Sequence, residues 1–206
     1  MKNKMNTDLE LVVLNRKSFD FHEVNYNMNV KNILTAQPHY HICLHIDIIN
    51  RYNVKLFIEL GMYMGGGLAH IIPNIMLDSE FRYMGYEIDS SQVRNEILNF
   101  ASGHPRCEVI LEDLFLNHNL LASSQAIANT NGAVYVFCDG GNKLKELQTF
   151  SKFLRVGDII SVHDYVDIQT GEIVDTDFEI ISDDFAILDE ELRKDILWLP
   201  TFIKIK

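Results

Sequence analysis

Residues 54–67 read VKLFIELGMYMGGG, and this stretch decides the fold that the chain can adopt. An apolar run of strand length ends at Glu59, and Gly61 and the glycines from Gly65 to Gly67 follow it. Glycine accommodates a sharp turn, and because it has no Cβ a ligand can approach its backbone closely. The next apolar residues have the spacing of a helix face: Ile71, Ile72, Ile75 and Met76. The stretch therefore predicts a strand, a tight turn and a helix start, the unit that opens nucleotide-binding α/β domains.

The rest of the chain repeats this alternation of strand and helix. Further apolar runs occupy residues 82–88, 107–111, 133–138 and 159–163, and each is followed or preceded by a stretch of helical spacing. A closing run at Phe202, Ile203 and Ile205 predicts an edge strand, because Pro200 is tolerated only at the start or edge of a strand. The pattern predicts an α/β fold of the Rossmann-like, doubly wound type, with a mostly parallel sheet and helices on both faces.

Polar residues interrupt the apolar strands at one recurring place, their carboxyl ends. These residues are Glu59, Glu87, Asp113, Asp139, His163 and Asp164. In open parallel sheets, ligands bind outside the carboxyl ends of the strands, where these side chains would meet. Glu87 follows the second strand, the position at which this architecture places a carboxylate on a ribose, so we predict that Glu87 binds ribose hydroxyls.

Length and composition restrict the class of protein. A chain of 206 residues suits a single domain, which we predict over 1–206, with an N-terminal extension at 1–35 and the core at 36–206. The net charge is −11 and no Lys/Arg cluster occurs, which argues against a nucleic-acid partner. No apolar run reaches the roughly 18 residues of a membrane span, and the N-terminus has no apolar signal core. We therefore expect a cytoplasmic protein without a membrane partner.

The cysteines and histidines are candidates for disulfides or a zinc site. Cys43, Cys107 and Cys138 have no paired spacing, and we expect buried, reduced thiols. A helix is predicted from Pro38 to Tyr52, and it carries His39, His41 and His45. His41 and His45 stand four residues apart, the spacing of two zinc ligands, but no acid or cysteine partner of matching geometry is evident nearby. We interpret these histidines as surface or interface residues.

Three motifs together resemble those of one protein family. They are Glu-Leu-Gly-x-x-x-Gly-Gly-Gly from Glu59, Asp139-Gly140, and Gly-Asp-Ile-Ile-x-x-His-Asp-Tyr from Gly157. Over residues 54–165 the chain resembles the class I S-adenosylmethionine-dependent methyltransferases, and its motif style is closest to small-molecule O-methyltransferases and cephalosporin-hydroxylase-like proteins. The resemblance implies a seven-stranded sheet and S-adenosylmethionine as cofactor. It also implies a cofactor site formed by Glu59, Gly61, Gly65, Gly67, Glu87, Asp113 and Asp139, with Asp113 either beside the adenine or capping its own loop.

The resemblance further implies methyl transfer to a hydroxyl group of a small molecule or a glycan, with His163 and Asp139 as catalytic residues. Two arrangements remain open. In one, Asp139, His163 and Asp164 hold a divalent cation (Mg²⁺ or Mn²⁺) that lowers the pKa of the acceptor hydroxyl. In the other, His163 takes the proton without a metal. The chain departs from related motifs at Asn142, where a histidine is frequent, and at Lys143, one position away from a lysine base.

Other classes of protein share parts of this pattern. A nicotinamide-dependent oxidoreductase would use the same sheet, but its glycines are spaced Gly-x-Gly-x-x-Gly. A protein that binds the cofactor without turnover also fits, because the catalytic base is not obvious in the sequence. A hydroxylase of the cephalosporin-related type is a further alternative. A homo-oligomer is compatible with the sequence, whereas the identity of the acceptor lies in loops outside the recognisable motifs.

Overall fold

A computed structural model describes residues 28–30, 33–35, 39–65, 80–163, 177–181 and 199–206. The elements in chain order are β1 (Met28–Val30), β2 (Ile33–Thr35), α1 (His39–Arg51), β3 (Val54–Leu60), β4 (Arg82–Tyr86), α2 (Asn95–Ser102), β5 (Cys107–Ile110), α3 (Asn117–Asn129), β6 (Ala133–Cys138), α4 (Lys143–Phe150), β7 (Ile159–Val162), β8 (Phe178–Ile180) and β9 (Thr201–Lys204). β1 and β2 pair antiparallel as a separate small sheet within the N-terminal extension.

The main sheet has seven strands in the order β5-β4-β3-β6-β7-β9-β8. The first five strands of that order are parallel, whereas β9 runs antiparallel to both β7 and β8. The prediction of a mostly parallel seven-stranded sheet with an antiparallel strand near residues 202–205 is confirmed. The sequence did not locate β8, because this edge strand has three residues, of which Glu179 and Ile180 are exposed. It therefore lacks the apolar run that marked the other strands.

The sheet separates two buried layers. Successive side chains of a strand point to opposite faces, so Phe57 of β3 packs with Ile48 of α1 and Ile97 of α2 on one face. Ile58, the next residue, packs on the other face with residues of α3 and α4, among them Ile127, Leu147 and Phe150. Because both faces of the parallel strands are covered by helices, these strands have nearly continuous apolar sequences. The predicted helices on both faces are thus present.

The strand order reverses at β3, which pairs with β4 on one side and with β6 on the other. The chain leaves the sheet in opposite directions after these neighbouring strands, so a crevice opens between their carboxyl ends. This topological switch point is the place at which an open α/β sheet binds its ligand. The fold therefore puts a cleft directly beside the glycine turn that follows β3.

One helix start differs from its prediction. The residue types of Ser90 and Ser91, shortly after β4, predict a helix N-cap at this point, but the helix that contains Ile97, α2, begins at Asn95. The Asp89 carboxylate accepts hydrogen bonds from the backbone N–H of Ser91 at 3.0 Å and from its hydroxyl at 2.6 Å. An Asp side chain that bonds the backbone two residues later forms a local turn. This turn delays the helix.

Several predicted features lie outside the described residues. They are residues 1–27, Gly66, Gly67, the helix expected after Leu68, Asp164, the connector from 166 and the helical piece from Phe185 to Ile196. Within the described part of the chain, no helix is both long and apolar enough to cross a bilayer.

Candidate active site

The turn after β3 is built from glycines that no other residue could replace. Gly61 has a φ of +87°, and a Cβ there would lie 2.7 Å from the carbonyl oxygen of Asp139. Gly65 has a φ of +80°, and its Cβ would lie 2.6 Å from a side-chain carbon of Ile97. Both positions are closed to a side chain by backbone angle and by space. The turn consequently packs tightly between β6 and α2.

Glu87 lies directly after β4 and holds this turn through its carboxylate. One oxygen, Oε2, accepts a hydrogen bond of 2.7 Å from the backbone N–H of Tyr63, a turn residue with a φ of +50°. The other oxygen, Oε1, accepts a bond of 2.9 Å from the backbone N–H of Asp89. A carboxylate has about four lone-pair sites, so each oxygen can also accept a hydroxyl donor. Glu87 is fixed in place before any ligand arrives.

These residues border a cleft of about 780 Å³ at the carboxyl edge of the sheet. The described residues that line it lie at or just after the ends of five parallel strands or belong to α4: Leu60, Gly61, Tyr63, Tyr86, Glu87, Ile88, Glu112, Asp113, Leu114, Phe115, Asp139, Gly140, Gly141, Asn142, Glu146 and His163. Asp113 lines the cleft and also accepts a 2.8 Å hydrogen bond from the backbone N–H of Phe115. Two roles were predicted for Asp113. The structure contains the loop-capping hydrogen bond, and the position of Asp113 in the cleft lining is compatible with the role beside the adenine.

Glu59 lies beneath the cleft and is not among its lining residues in the described part of the chain. The side chain is 2% exposed, and the Tyr83 hydroxyl donates a hydrogen bond to its Oε2. Burial raises the pKa of Glu59 to about 8, opposed by the Tyr83 hydrogen bond and reinforced by the negative charges of Asp139 and Glu87. Glu59 thus supports the turn from within the core.

Asp139 and His163 end the neighbouring strands β6 and β7, and their side chains meet at the floor of the cleft. His163 Nδ1 lies 2.8 Å from Asp139 Oδ1. Since a carboxylate can only accept, we assign the proton to Nδ1 and the donor role to the imidazole. Lys143, in the first turn of α4, places its Nζ 3.2 Å from the same oxygen. One carboxylate oxygen therefore binds a histidine and a lysine.

His41 and His45 are buried, each only 1% exposed, which corrects the interpretation as surface or interface residues. The edge of the His41 ring meets His163, with ring centroids 4.9 Å apart and planes at 87°. His45 Nδ1 is joined to the Tyr135 hydroxyl by a 2.8 Å hydrogen bond. Burial lowers the pKa of His45, and positive charge on His41 or His163 would lower it further. One sequence signal could have predicted this burial. His41, His45 and Ile48 are spaced i, i+4, i+7 and therefore lie on the same, buried face of α1.

Glu146 is a second residue that the sequence did not single out. It is buried in α4, and its carboxylate accepts hydrogen bonds from the backbone N–H groups of Gly140 at 3.1 Å and Asn142 at 3.3 Å. A Cβ on Gly140 would lie 2.2 Å from Glu146 Oε1, so the glycine makes this contact possible. Asn142 caps α4 by accepting a 3.1 Å bond from the backbone N–H of Lys145. Asn142, which stands where related motifs have a histidine, is therefore the N-cap of α4 in this chain.

The structure brings most of the predicted site residues together. Gly61, Glu87, Asp113, Asp139 and His163 line one cleft. Glu59 and Gly65 support the turn from below and from the side, while Gly67 and Asp164 lie outside the described residues. Within the described ranges, no group of three or more His, Cys, Asp or Glu side chains is arranged to hold a metal ion.

Comparison with known proteins identifies the fold. No family model matches this sequence, and no curated protein does. Among solved structures, CmcI-N160 with SAH is 12% identical and covers 94% of this chain and 91% of its own, with a TM-score of 0.62. The methyltransferase PaMTH1 of Podospora anserina, bound to SAH, is 12% identical and covers 99% of this chain and 97% of its own, with a TM-score of 0.51. The chain has the Rossmann-like fold of these two structures, one of which is a methyltransferase.

A further CmcI structure, CmcI-D160 with Mg and SAM, is 13% identical, with a TM-score of 0.53. It covers 82% of this chain and 64% of its own. At these identities the likeness concerns the fold, and it confirms the architecture that the sequence motifs implied. Residue roles in this chain must be argued from its own contacts.

Proposed function

We propose that the chain binds S-adenosylmethionine in this cleft and transfers its methyl group to a hydroxyl of a small molecule or a glycan. The observation that carries the proposal is the position of Glu87, fixed at the switch point beside the glycine turn. Solved structures of the same fold that contain SAH or SAM support this choice of cofactor over a nicotinamide.

The described residues fit such a cofactor in three parts. The methionine portion would lie over the turn at Gly61, which lines the cleft and packs directly against the backbone of Asp139 and Gly140. Glu87 would accept the two ribose hydroxyls, since a carboxylate suits a cis-diol and makes charge-assisted bonds to it. Ile88 and Phe115 supply apolar lining beside Asp113, as a purine ring requires.

The chemistry of transfer rests on Asp139 and His163. When bound, S-adenosylmethionine supplies a methyl group activated as a sulfonium, so the protein must orient the acceptor and remove its proton. Asp139 holds Nδ1 of His163, and this leaves Nε2 as the basic nitrogen. We propose that His163 Nε2 takes the proton of the acceptor hydroxyl while Asp139 keeps the ring oriented.

The alternative with a divalent cation fits the described contacts less well. Asp139 Oδ1 already receives the Nδ1–H of His163 and the ammonium of Lys143, and the positive charge of that ammonium repels a cation at this oxygen. Asp139, as placed, does not fit Mg²⁺ or Mn²⁺, so no step of the proposed reaction uses a metal.

The test is turnover with methyl-labelled S-adenosylmethionine and a panel of small molecules and glycans that carry hydroxyl groups. For the acceptor that is methylated, His163→Ala should lower kcat by about 10²–10⁴-fold, the contribution of a general base, with unchanged cofactor affinity. His104→Ala is the control, because His104 bonds the Phe100 carbonyl in α2 and is not among the cleft-lining residues of the described chain.

Wild-type turnover by the His163→Ala variant would remove the proposed base. If the protein binds S-adenosylmethionine but methylates no acceptor, the result would favour a protein that binds the cofactor without turnover. If it binds NADH in place of S-adenosylmethionine, the result would favour an oxidoreductase.

A further inference from the structure

The Asp139 carboxylate receives two positively polarised groups on a single oxygen, Oδ1. The ammonium of Lys143 lies 3.2 Å from it, and His163 Nδ1 lies 2.8 Å from it. The exposed fractions of the side chains are 21% for Lys143, 16% for Asp139 and 11% for His163. Charges this shielded from water interact more strongly than an exposed surface pair.

The local sequence fixes Lys143 in this position. Asp139 ends β6 and Lys143 opens α4 four residues later, so a short turn connects the two charges. Asn142 caps α4, and Glu146 binds the backbone of the turn at Gly140 and Asn142. The start of the helix therefore has little freedom, and the ammonium is directed to Asp139.

We propose that Lys143 supplies, from the chain itself, the positive charge that a divalent cation would provide at Asp139, and that it excludes Mg²⁺ and Mn²⁺ from this site. The inference rests on the proposed function in so far as the same Asp139–His163 pair serves methyl transfer. Lys143 is not among the described residues that line the cleft, so it acts through Asp139 and is a positioning residue.

One physical reason supports the exclusion. Mg²⁺ must approach a carboxylate oxygen to about 2.0–2.1 Å, where a lysine ammonium 3.2 Å from the same oxygen repels it. Among the titratable residues in the described part of the chain, Asp139 and His41 contact His163 directly, Lys143 shares the same Asp139 oxygen, and His45 is near enough for His163 to affect its pKa. They offer one carboxylate and no cluster of three ligands within the described residues.

The experiment titrates Mn²⁺ alone into the full-length protein and follows the electron paramagnetic resonance signal of free Mn²⁺. The proteins are wild type, Lys143→Met, Lys143→Gln, Lys143→Arg and Lys145→Met. Lys145 is the matched control, because it belongs to the same helix but places its ammonium over the Phe115 ring, 3.6 Å from the centroid. Thermal melts monitored by circular dichroism verify that each variant is folded.

We expect Lys143→Met and Lys143→Gln to bind Mn²⁺ at least tenfold more tightly than wild type, and Asp139→Asn added to either to abolish the gain. Lys143→Arg and Lys145→Met should behave as wild type, because both retain a cation at Asp139. Equal Mn²⁺ affinity of wild type and both neutral variants, whether strong or undetectable, would overturn the inference. The readout needs neither cofactor nor acceptor, so failure of the proposed methyl transfer would appear separately, in the turnover assay.

Discussion

Glu87 is the single side chain with the most specific proposed contact. Replacing it by alanine would remove the acceptor of the Tyr63 and Asp89 backbone N–H groups and disturb the turn itself. Glu87→Gln keeps the shape but removes the charge and one acceptor. We expect it to weaken S-adenosylmethionine binding by about 1.5–3 kcal/mol, the value of hydrogen bonds to charged groups.

Isothermal titration calorimetry of wild type and Glu87→Gln measures this difference. Asp89→Asn is the matched control, because the Asp89 carboxylate bonds Ser91 and Gln92 within its own turn. An affinity equal to that of wild type in Glu87→Gln would contradict the assignment of the ribose site.

Glu59 makes a different prediction, about stability and pH. Its pKa is raised from 4.5 to about 8 by burial in the folded chain. Between these values the unfolded state ionises while the folded state keeps the proton, so this residue lowers the free energy of unfolding as the pH rises. From the pKa difference, the loss by pH 8 is roughly 3–5 kcal/mol. Glu59→Gln has no ionisable group at this position and should not show this pH-dependent loss of stability.

Urea unfolding at pH 5 and pH 8 tests this expectation. The stability of Glu59→Gln relative to wild type should increase from the lower to the higher pH, whereas Glu108→Gln, at an exposed position of β5, should run parallel to wild type. A pH-independent difference between Glu59→Gln and wild type would show that Glu59 is ionised in the folded protein.

At the level of secondary-structure elements, the two ends of the parallel strands have different roles. The cleft lies at their carboxyl ends. At the amino ends of β6 and β7, Asp158, which is 1% exposed, connects the two strands. Its carboxylate accepts bonds from the backbone N–H of Val134 at 2.9 Å, from that of Arg155 at 2.7 Å and from the Arg155 guanidinium at 2.9 Å. Arg155 also donates to the Thr130 carbonyl at 2.7 Å. These contacts fasten the loops that start both strands.

Asp158→Asn should therefore reduce stability and leave cofactor affinity unchanged. The substitution leaves a guanidinium without its carboxylate, and because Arg155 is partly exposed we expect a loss of about 2–3 kcal/mol, below the value for a fully buried pair. Asp47→Asn breaks the exposed Asp47–Arg51 pair of α1 and should cost less than about 0.5 kcal/mol. Urea unfolding and calorimetry measure the two quantities. Equal stability losses in the two variants, or weaker cofactor binding in Asp158→Asn, would contradict this division of the sheet.

At the scale of the whole molecule, charge and shape suit a small cationic ligand. The net charge is −11, and five of the described residues that line the cleft bear a carboxyl group: Glu87, Glu112, Asp113, Asp139 and Glu146. S-adenosylmethionine carries a sulfonium charge, which such a field attracts, whereas a polyanionic nucleic acid would be repelled. That the chain forms one domain over 1–206, and that it assembles as a homo-oligomer, remain predictions.

Local sequence patterns predict the parallel strands and the residues at their carboxyl ends. Apolar runs, glycine turns and terminal acids are local patterns, so β3 to β7 and the residues Gly61, Glu87, Asp113, Asp139 and His163 could be placed at one edge of a sheet before any coordinates. The same reasoning missed β8, which has no apolar run, and misplaced the start of α2, where a local Asp89 turn competes with the helix.

The contacts of each polar residue, in contrast, depend on how distant segments of the chain pack together. Glu59 and Glu87 both lie near the carboxyl end of a strand, yet one is buried against Tyr83 and the other faces the cleft. Glu59 pairs with Gly85 inside the sheet, whereas Glu87 lies two residues further along, beyond the end of β4. The contacts of His41 with His163 and of Lys143 with Asp139 depend on how α1 and α4 pack against the sheet. Packing between distant segments has no period in the sequence, so the pair that we propose for proton transfer, and the lysine beside it, became visible only in the folded chain.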